Sequence, residues 1–156
     1  MEERIFELEN RTIEIKRVAK TTKGGKMMRL AACSAVGDMK SKVGIGFGKS
    51  QEVASAVKKS RNRAKKSMIE VKLRDNTIPH RVLGKCGAAK VLIRPAVPGT
   101  GIIACETVRT ILELGGVKDA LAKSLGSANR GNLAKATISA LSQLRTFKEV
   151  AKMRGL

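Results

Sequence analysis

IKRVAKTTKGGKMMRLAACSAVGDMKSKVGIGFGKSQEVASAVKKSRNRAKK, residues 15–66, carries strand, turn and helix signals in succession. Ile13, Ile15 and Val18 open a first strand, with Arg17 and Lys20 among its polar positions. Thr21-Thr22-Lys23-Gly24-Gly25-Lys26 reads as a flexible turn or exposed loop, because paired glycines take positive φ at little cost. Met28, Leu30, Ala32, Ser34 and Val36 share one parity of a second strand, Gly37-Asp38 turns the chain, and residues 43–47 form a third. Short connections between such runs predict an antiparallel meander.

A helix follows over residues 53–68. Ser50 is the expected N-cap, and Glu52 suits the positive end of the helix dipole. Val53, Val57, Ala64 and Met68 fall on one side at helical spacing. Lys58, Lys59, Lys65 and Lys66 fall mainly on the other, with Arg61 and Arg63 at the margins. The first side is expected to pack on the sheet. An ordinary solvated face gains from mixed i,i+4 charge pairs, so a nearly unbroken positive sign favours a phosphate-facing role over simple solvation.

Charge extends that argument to the whole chain. The 156 residues carry a formal charge of +19, beyond what solubility needs and useful against many phosphates. Residues 10–70 hold 16 Lys or Arg against 4 Asp or Glu, and basic excess continues through the second half. The partner is expected to be a polyanion, folded RNA above all. Tyr and Trp are absent and only three Phe are present, so a platform of stacked aromatics is poorly supported. At 42% apolar the chain can bury a core, and its length allows one or two domains. Cys33, Cys86 and Cys105 are widely spaced and odd in number, which argues for a reducing compartment and against zinc or redox chemistry. The acidic opening MEERIFELE lacks the apolar run of a signal peptide, and no stretch approaches membrane-spanning length.

The second half is expected to begin near Ile69. Ile69, Val71 and Leu73 alternate, and Arg81-Val82-Leu83-Gly84 and Ala89-Lys90-Val91-Leu92-Ile93-Arg94 read as strands. Pro95, Pro98, Gly99 and Gly101 punctuate the next connection. A helix is expected over residues 103–114, ending at Gly115-Gly116, followed by a short apolar segment at 120–125. Asn132 is the expected cap of a last helix with Leu133, Ala136, Thr137, Ala140, Leu141 and Leu144 along one stripe. The fold class is α+β, with two layers in each half. The expected division is a short extension at 1–9, a first domain at 10–68, a second at 69–145 and a tail at 146–156.

Enzyme chemistry finds little to stand on. Val43-Gly44-Ile45-Gly46-Phe47-Gly48-Lys49-Ser50 has valine where a P-loop needs its first glycine, and G-x-G-x-G where a dinucleotide fingerprint needs G-x-G-x-x-G. Two readings of the glycines remain: close backbone approach with Lys49 and helix N–H groups offered to a phosphate, or a tight turn or bulge. His80, the sole histidine, has no nearby acid and reads as a surface or core-edge residue. No cofactor, metal or catalytic residue is nominated.

Taken together, several segments resemble the bacterial-type small-subunit ribosomal protein S5 (uS5) family from about Ile13 onward. They are residues 10–28, Val36-Gly37-Asp38, residues 43–49 with the helix that follows, Arg94-Pro95-Ala96, Pro98-Gly99-Thr100-Gly101-Ile102-Ile103-Ala104, and residues 121–127 with Asn129. The resemblance implies a double-stranded-RNA-binding-like N-terminal domain of antiparallel sheet plus helix, then a C-terminal two-layer β-α domain. It implies a non-enzymatic constituent of the small ribosomal subunit that binds rRNA, meets ribosomal proteins S4 and S8 and supports decoding fidelity. The expected location is cytoplasmic, in the ribosome, with an organellar ribosome left open; neither a membrane partner nor a homo-oligomer is expected. The rRNA contacts nominated are Arg17, Lys20, Lys23, Lys26, Arg29, Lys49, Lys58, Lys59, Arg61, Arg63, Lys65 and Lys66. Family likeness places the loop of residues 19–29 beside the spectinomycin site at the subunit neck, nominating Lys20, Thr21, Gly24, Gly25 and Lys26. It likewise nominates Arg94, Gly101 and Arg109 for a surface facing S4 or rRNA. Two departures stand out: the N-terminal extension is short, and Cys105-Glu106 puts an acid where many relatives carry small residues. The alternatives are a free double-stranded-RNA binder or RNA chaperone, which needs little beyond residues 10–70, and an enzyme of the kinase and ATPase fold superfamily.

Overall fold

The structure, a computed structural model, describes residues 8–155, so residues 1–7 of the expected extension lie outside the described residues. Three long strands form the antiparallel meander: β1 (Glu9–Thr22), β2 (Gly25–Gly37) and β3 (Lys42–Ser50). The β2–β3 turn is held by Asp38, whose Oδ1 accepts the backbone N–H groups of Lys40, Ser41 and Lys42 at 2.8–2.9 Å. Partial burial pushes this carboxyl up, but the three bonds outweigh it and hold it below its ordinary range.

Helix α1 (Val53–Lys66) lies across β2 and β3. It faces Gly44, Gly46 and Gly48, which alternate along β3 and so share one face. A methyl group at these three positions would sit on the carbonyl oxygens of Ala64, Ser60 and Ala56 in turn. The glycines therefore serve close approach of a helix, and the surface left under it admits only small side chains. The buried stripe of α1 is accordingly Ala56, Ser60 and Ala64; of the expected Val53, Val57, Ala64 and Met68 only Ala64 is buried, Val57 and Met68 are half-buried and Val53 is exposed. Ser50 ends β3, paired with Leu30, and the N-cap is Glu52, without a side-chain cap bond.

Ile69 and Glu70 form β4, which pairs with Val43 and Lys42 as the fourth strand of this first sheet, rather than opening the second. The second sheet contains β5 (Val82–Cys86), β6 (Ala89–Pro95), β7 (Ile102–Ile103) and β8 (Ala120–Ser124), in the order β5-β6-β8-β7. β7 runs parallel to β8, and the other pairs are antiparallel. Because Ile102 and Ile103 belong to β7, helix α2 (Glu106–Leu114) starts three residues later than expected. Glu106 lies in its first turn, where the helix dipole favours an acid, and pairs with Arg130 at 3.7 Å. Helix α3 (Arg130–Ser142) is capped by Asn129, whose side chain accepts the N–H groups of Gly131 and Asn132; Asn132 itself lies inside the helix. The expected tail contains helix α4 (Phe147–Met153), begun by a capping box between Thr146 and Glu149.

Both faces of the first sheet are used. Ala32, Ser34 and Val36 lie on the α1 side, while Cys33, Ala35 and Val43 join a core with Ile111, Leu114 and Leu133 of α2 and α3. On its other side, α3 covers Val82, Val91 and Ile93 of the second sheet, and α2 meets β7. The layers are thus α1, first sheet, α2 with α3, second sheet. An Arg11–Glu113 ion pair and Lys135 over the Phe47 ring, 4.9 Å from its centroid, link the halves. Cys33 is sealed here, and burial pushes its thiol up to about 11. His80 also links elements: its Nδ1 meets the Arg81 carbonyl at 2.9 Å, and its Nε2 accepts the Arg145 N–H at 3.1 Å. Holding one proton on Nδ1 satisfies both bonds.

Candidate nucleic-acid interface

The strands β1 and β2 outrun the sheet. β3 stops at the Leu30–Ser50 pair, yet β1 and β2 continue pairing to Thr22 and Gly25. Five residues of each strand project as a two-stranded arm, roughly 17 Å long at the usual rise per residue. The expected flexible loop is therefore mostly strand, with only Lys23 and Gly24 between the paired residues. Gly25 takes φ +123°, a conformation that favours glycine, and the Thr22 hydroxyl donates to its carbonyl at 2.9 Å.

Residues opposite each other in an antiparallel pair share a face. One face of the arm carries Lys20 beside Met27 and Arg29 beside Val18, running on to Lys49 at the base opposite Ala31. The other carries Arg17 beside Leu30 and Lys26 beside Thr21. The arm is basic on both faces and at its tip, Lys23. Met27 and Met28 are exposed between the charges; composition alone does not mark them, because methionine serves equally as core filler.

The outer surface of α1 adds Lys58, Lys59, Arg61, Lys65 and Lys66, all exposed. The helix covers β2 and β3 but hardly reaches the edge strand β1. A groove remains between them, lined by Asn10, Val57, Lys58, Arg61 and Lys65 among others. Val57 thus belongs to its wall, and Asn10 is a lining residue without any charge signal in the sequence. Arg63 is the exception among the nominated cations: its guanidinium donates to the Phe47 carbonyl at 2.6 Å, tying α1 to β3.

Among the described residues, acidic partners are taken by Arg11, Lys16, Lys72 and Arg130, and none faces the arm cations, Lys49 or the α1 cations. Such concentrated positive charge is costly through self-repulsion and is relieved by a polyanion. The described residues contain no group of three or more His, Cys, Asp or Glu placed to hold a metal, and no helix long and apolar enough to cross a membrane.

The three residues nominated for the second surface do not come together. Gly101 and Arg109 line one groove with Met39, Glu113 and Lys118. Its loop is fixed from within: buried Asp119 accepts the N–H groups of Gly99 and Gly101 at 3.1 and 2.8 Å. Arg94 lies on the opposite side of the second sheet, because its β6 neighbour Ile93 faces the helices.

Two family models cover the described chain almost end to end. The N-terminal domain of ribosomal protein S5 matches residues 8–72, and its C-terminal domain matches residues 84–154. The chain is 51% identical over 149 residues to the small ribosomal subunit protein uS5 of Acaryochloris marina, covering 95% of this chain and 84% of that one. It is 48% identical over 150 residues to the uS5 protein of Thermotoga petrophila, covering 96% and 84%.

Proposed function

The chain belongs to the ribosomal protein S5 family and is a structural, non-enzymatic constituent of the small ribosomal subunit; from that premise we propose that it holds folded small-subunit rRNA between its β-arm and helix α1. The observation that carries this reading is the set of exposed cations on both elements with no acidic partner among the described residues. Arg17, Lys20, Lys23, Lys26, Arg29 and Lys49 supply the arm's contacts, and Lys58, Lys59, Arg61, Lys65 and Lys66 those of the helix. Arg63 contributes less, being committed to Phe47. A two-stranded ribbon with a basic helix beside its sheet suits shape and backbone recognition, which is how duplex-rich RNA is read.

Family likeness extends the proposal. The arm, with Lys20, Thr21, Gly24, Gly25 and Lys26, lies at the subunit neck beside the spectinomycin site. The groove of Gly101 and Arg109 faces ribosomal protein S4 and bears on decoding accuracy, and S8 is met elsewhere on the second half. The working location is the ribosome of the cytoplasm. The test of the central reading is the affinity of the purified protein for a small-subunit rRNA fragment as salt is raised. Log K falls steeply and linearly with log salt, and structured RNA is preferred to poly-U. A flat slope, or equal affinity for the two RNAs, overturns it.

A further inference from the structure

The groove of Gly101 and Arg109 contains three charged side chains, Arg109, Glu113 and Lys118. Arg109 and Glu113 stand four residues apart on α2, the spacing at which opposite charges on a helix surface pair. Of the ion pairs among the described residues, none joins these two. The Glu113 carboxylate is instead bound by Arg11 of β1, which lies opposite Ala35 and so projects from the α2 side of the first sheet. Arg11 uses both arms of its guanidinium: one amino group donates to Glu113 and the other to Glu9, the latter at 3.3 Å. Arg109 is exposed and has no acidic partner among the described residues. A cation from the first half of the chain thus occupies the acid that lines a groove of the second half.

We propose that Arg11 is a positioning residue for this groove: by holding the Glu113 carboxylate it keeps Arg109 open to an acidic group of the partner that meets the groove. The proposal rests on the reading of the groove as a partner surface that bears on decoding accuracy. Without Arg11, Glu113 loses its cation and the next one within reach is Arg109, one helical turn away. Its negative charge also stands uncompensated where an acidic group has to approach, and like charges set against each other disfavour docking. Arginine suits the task better than lysine, because its planar fork serves two carboxylates at once. A tie that only fastened the two halves together would be broken equally by changing either partner. A role in keeping Arg109 open is lost only when Arg11 goes and Glu113 keeps its charge.

The experiment compares Arg11→Met, Glu113→Gln and the double variant with the unaltered chain by two readouts. The first is labelling of Arg109 by phenylglyoxal in the purified full-length protein at low salt, read by mass spectrometry. Arg11→Met is expected to slow labelling of Arg109 about twofold, the scale of an i,i+4 ion pair, and the double variant to restore it. The second is stop-codon readthrough in cells whose small subunits carry each variant. Arg11→Met is expected to shift readthrough in the same direction as Arg109→Glu, and adding Glu113→Gln to reverse that shift. Unchanged labelling of Arg109 in Arg11→Met overturns the proposal. So does a Glu113→Gln variant that reproduces the effects of Arg11→Met, or a double variant that recovers neither readout, since the pair is then only a tie between the halves. Readthrough that responds to Arg109→Glu but not to Arg11→Met overturns it as well. Readthrough that responds to neither, with the expected labelling pattern, counts against the groove's role in decoding and leaves the hold of Arg11 over Arg109 standing.

Discussion

Ser34 on β2 and Ser60 on α1 meet hydroxyl to hydroxyl at 2.7 Å, both fully buried beneath the helix. Ser60 also donates to the Val57 carbonyl at 2.8 Å, so the proton between the two hydroxyls comes from Ser34. Ser34 lies directly opposite Gly46 in the β2–β3 register, and of the three β3 glycines Gly46 lies nearest the helix, against the Ser60 carbonyl. Ser60→Ala leaves the Ser34 hydroxyl buried without its acceptor, at an expected cost of about 1–3 kcal/mol. Replacing both by Ala is expected to cost less than the sum of the single changes, read by chemical denaturation as a double-mutant cycle. Strict additivity would show that the hydroxyls do not interact.

The glycine track gives a second contrast. Gly46→Ala drives a methyl into the Ser60 carbonyl and is expected to destabilise by about 1–3 kcal/mol or more, as overpacking does. Gly24→Ala meets nothing within 4 Å and should leave the denaturation midpoint unchanged. Equal midpoints for the two variants would contradict the close seating of α1.

Helix α4 should loosen in acid. Lys72 bonds both Glu149 carboxylate oxygens at 2.7 Å, and with the Thr146 N–H it holds this carboxyl below its ordinary value. A carboxyl depressed in the folded state stabilises above its unfolded pKa, and that contribution is lost as pH falls through the folded value. Amide exchange in residues 147–153 should therefore accelerate as pH drops through the carboxylate range, after correction for intrinsic rates. Glu149→Gln should already exchange faster at neutral pH and lose most of that pH dependence.

Charge reversal on the arm should separate function from folding. Lys20→Glu and Lys26→Glu are expected to weaken rRNA binding and each to reduce the salt slope by about 1, the signature of a lost phosphate contact. The thermal midpoint should hold, because neither lysine has an acidic partner among the described residues. Spectinomycin response of cells carrying these variants tests the placement at the neck; a wild-type response despite incorporation into ribosomes counts against it.

Arg109→Glu addresses decoding. The side chain is exposed on α2 beside the Gly101 loop, so stability should change by less than about 0.5 kcal/mol. Stop-codon readthrough and misreading should change at normal subunit abundance. Loss of thermal stability without any change in accuracy would contradict the proposed partner surface.

Much of the first half is legible in its sequence because its signals are strong and local. Alternation gives β1 to β3, and the lysine-rich run gives α1. The inward stripe of α1 is harder, since valine outranks alanine on any hydrophobic count. Only the three alternating glycines of β3 reveal that Ala56, Ser60 and Ala64 must turn inward. β7 holds two residues, too few for a period, and exists through its parallel pairing with β8. The spacing Thr146-x-x-Glu149 is a capping box present in the sequence, but the docking of α4 needs Lys72, far away along the chain. Charge density made the cations of the interface readable; nothing local separates Arg63, held by Phe47, from Arg61, or puts Arg94 on the far side of its sheet from Arg109.

Contact of rRNA with the arm and the outer face of α1 would leave a footprint in amine labelling of lysines read by mass spectrometry, compared between the free protein and intact small subunits. Lys20, Lys23, Lys26, Lys58 and Lys65 should label readily in the free protein and become protected in the subunit, with protection lost when the RNA is digested by nuclease. Equal labelling in both states, or protection that survives complete removal of the RNA, would contradict that contact.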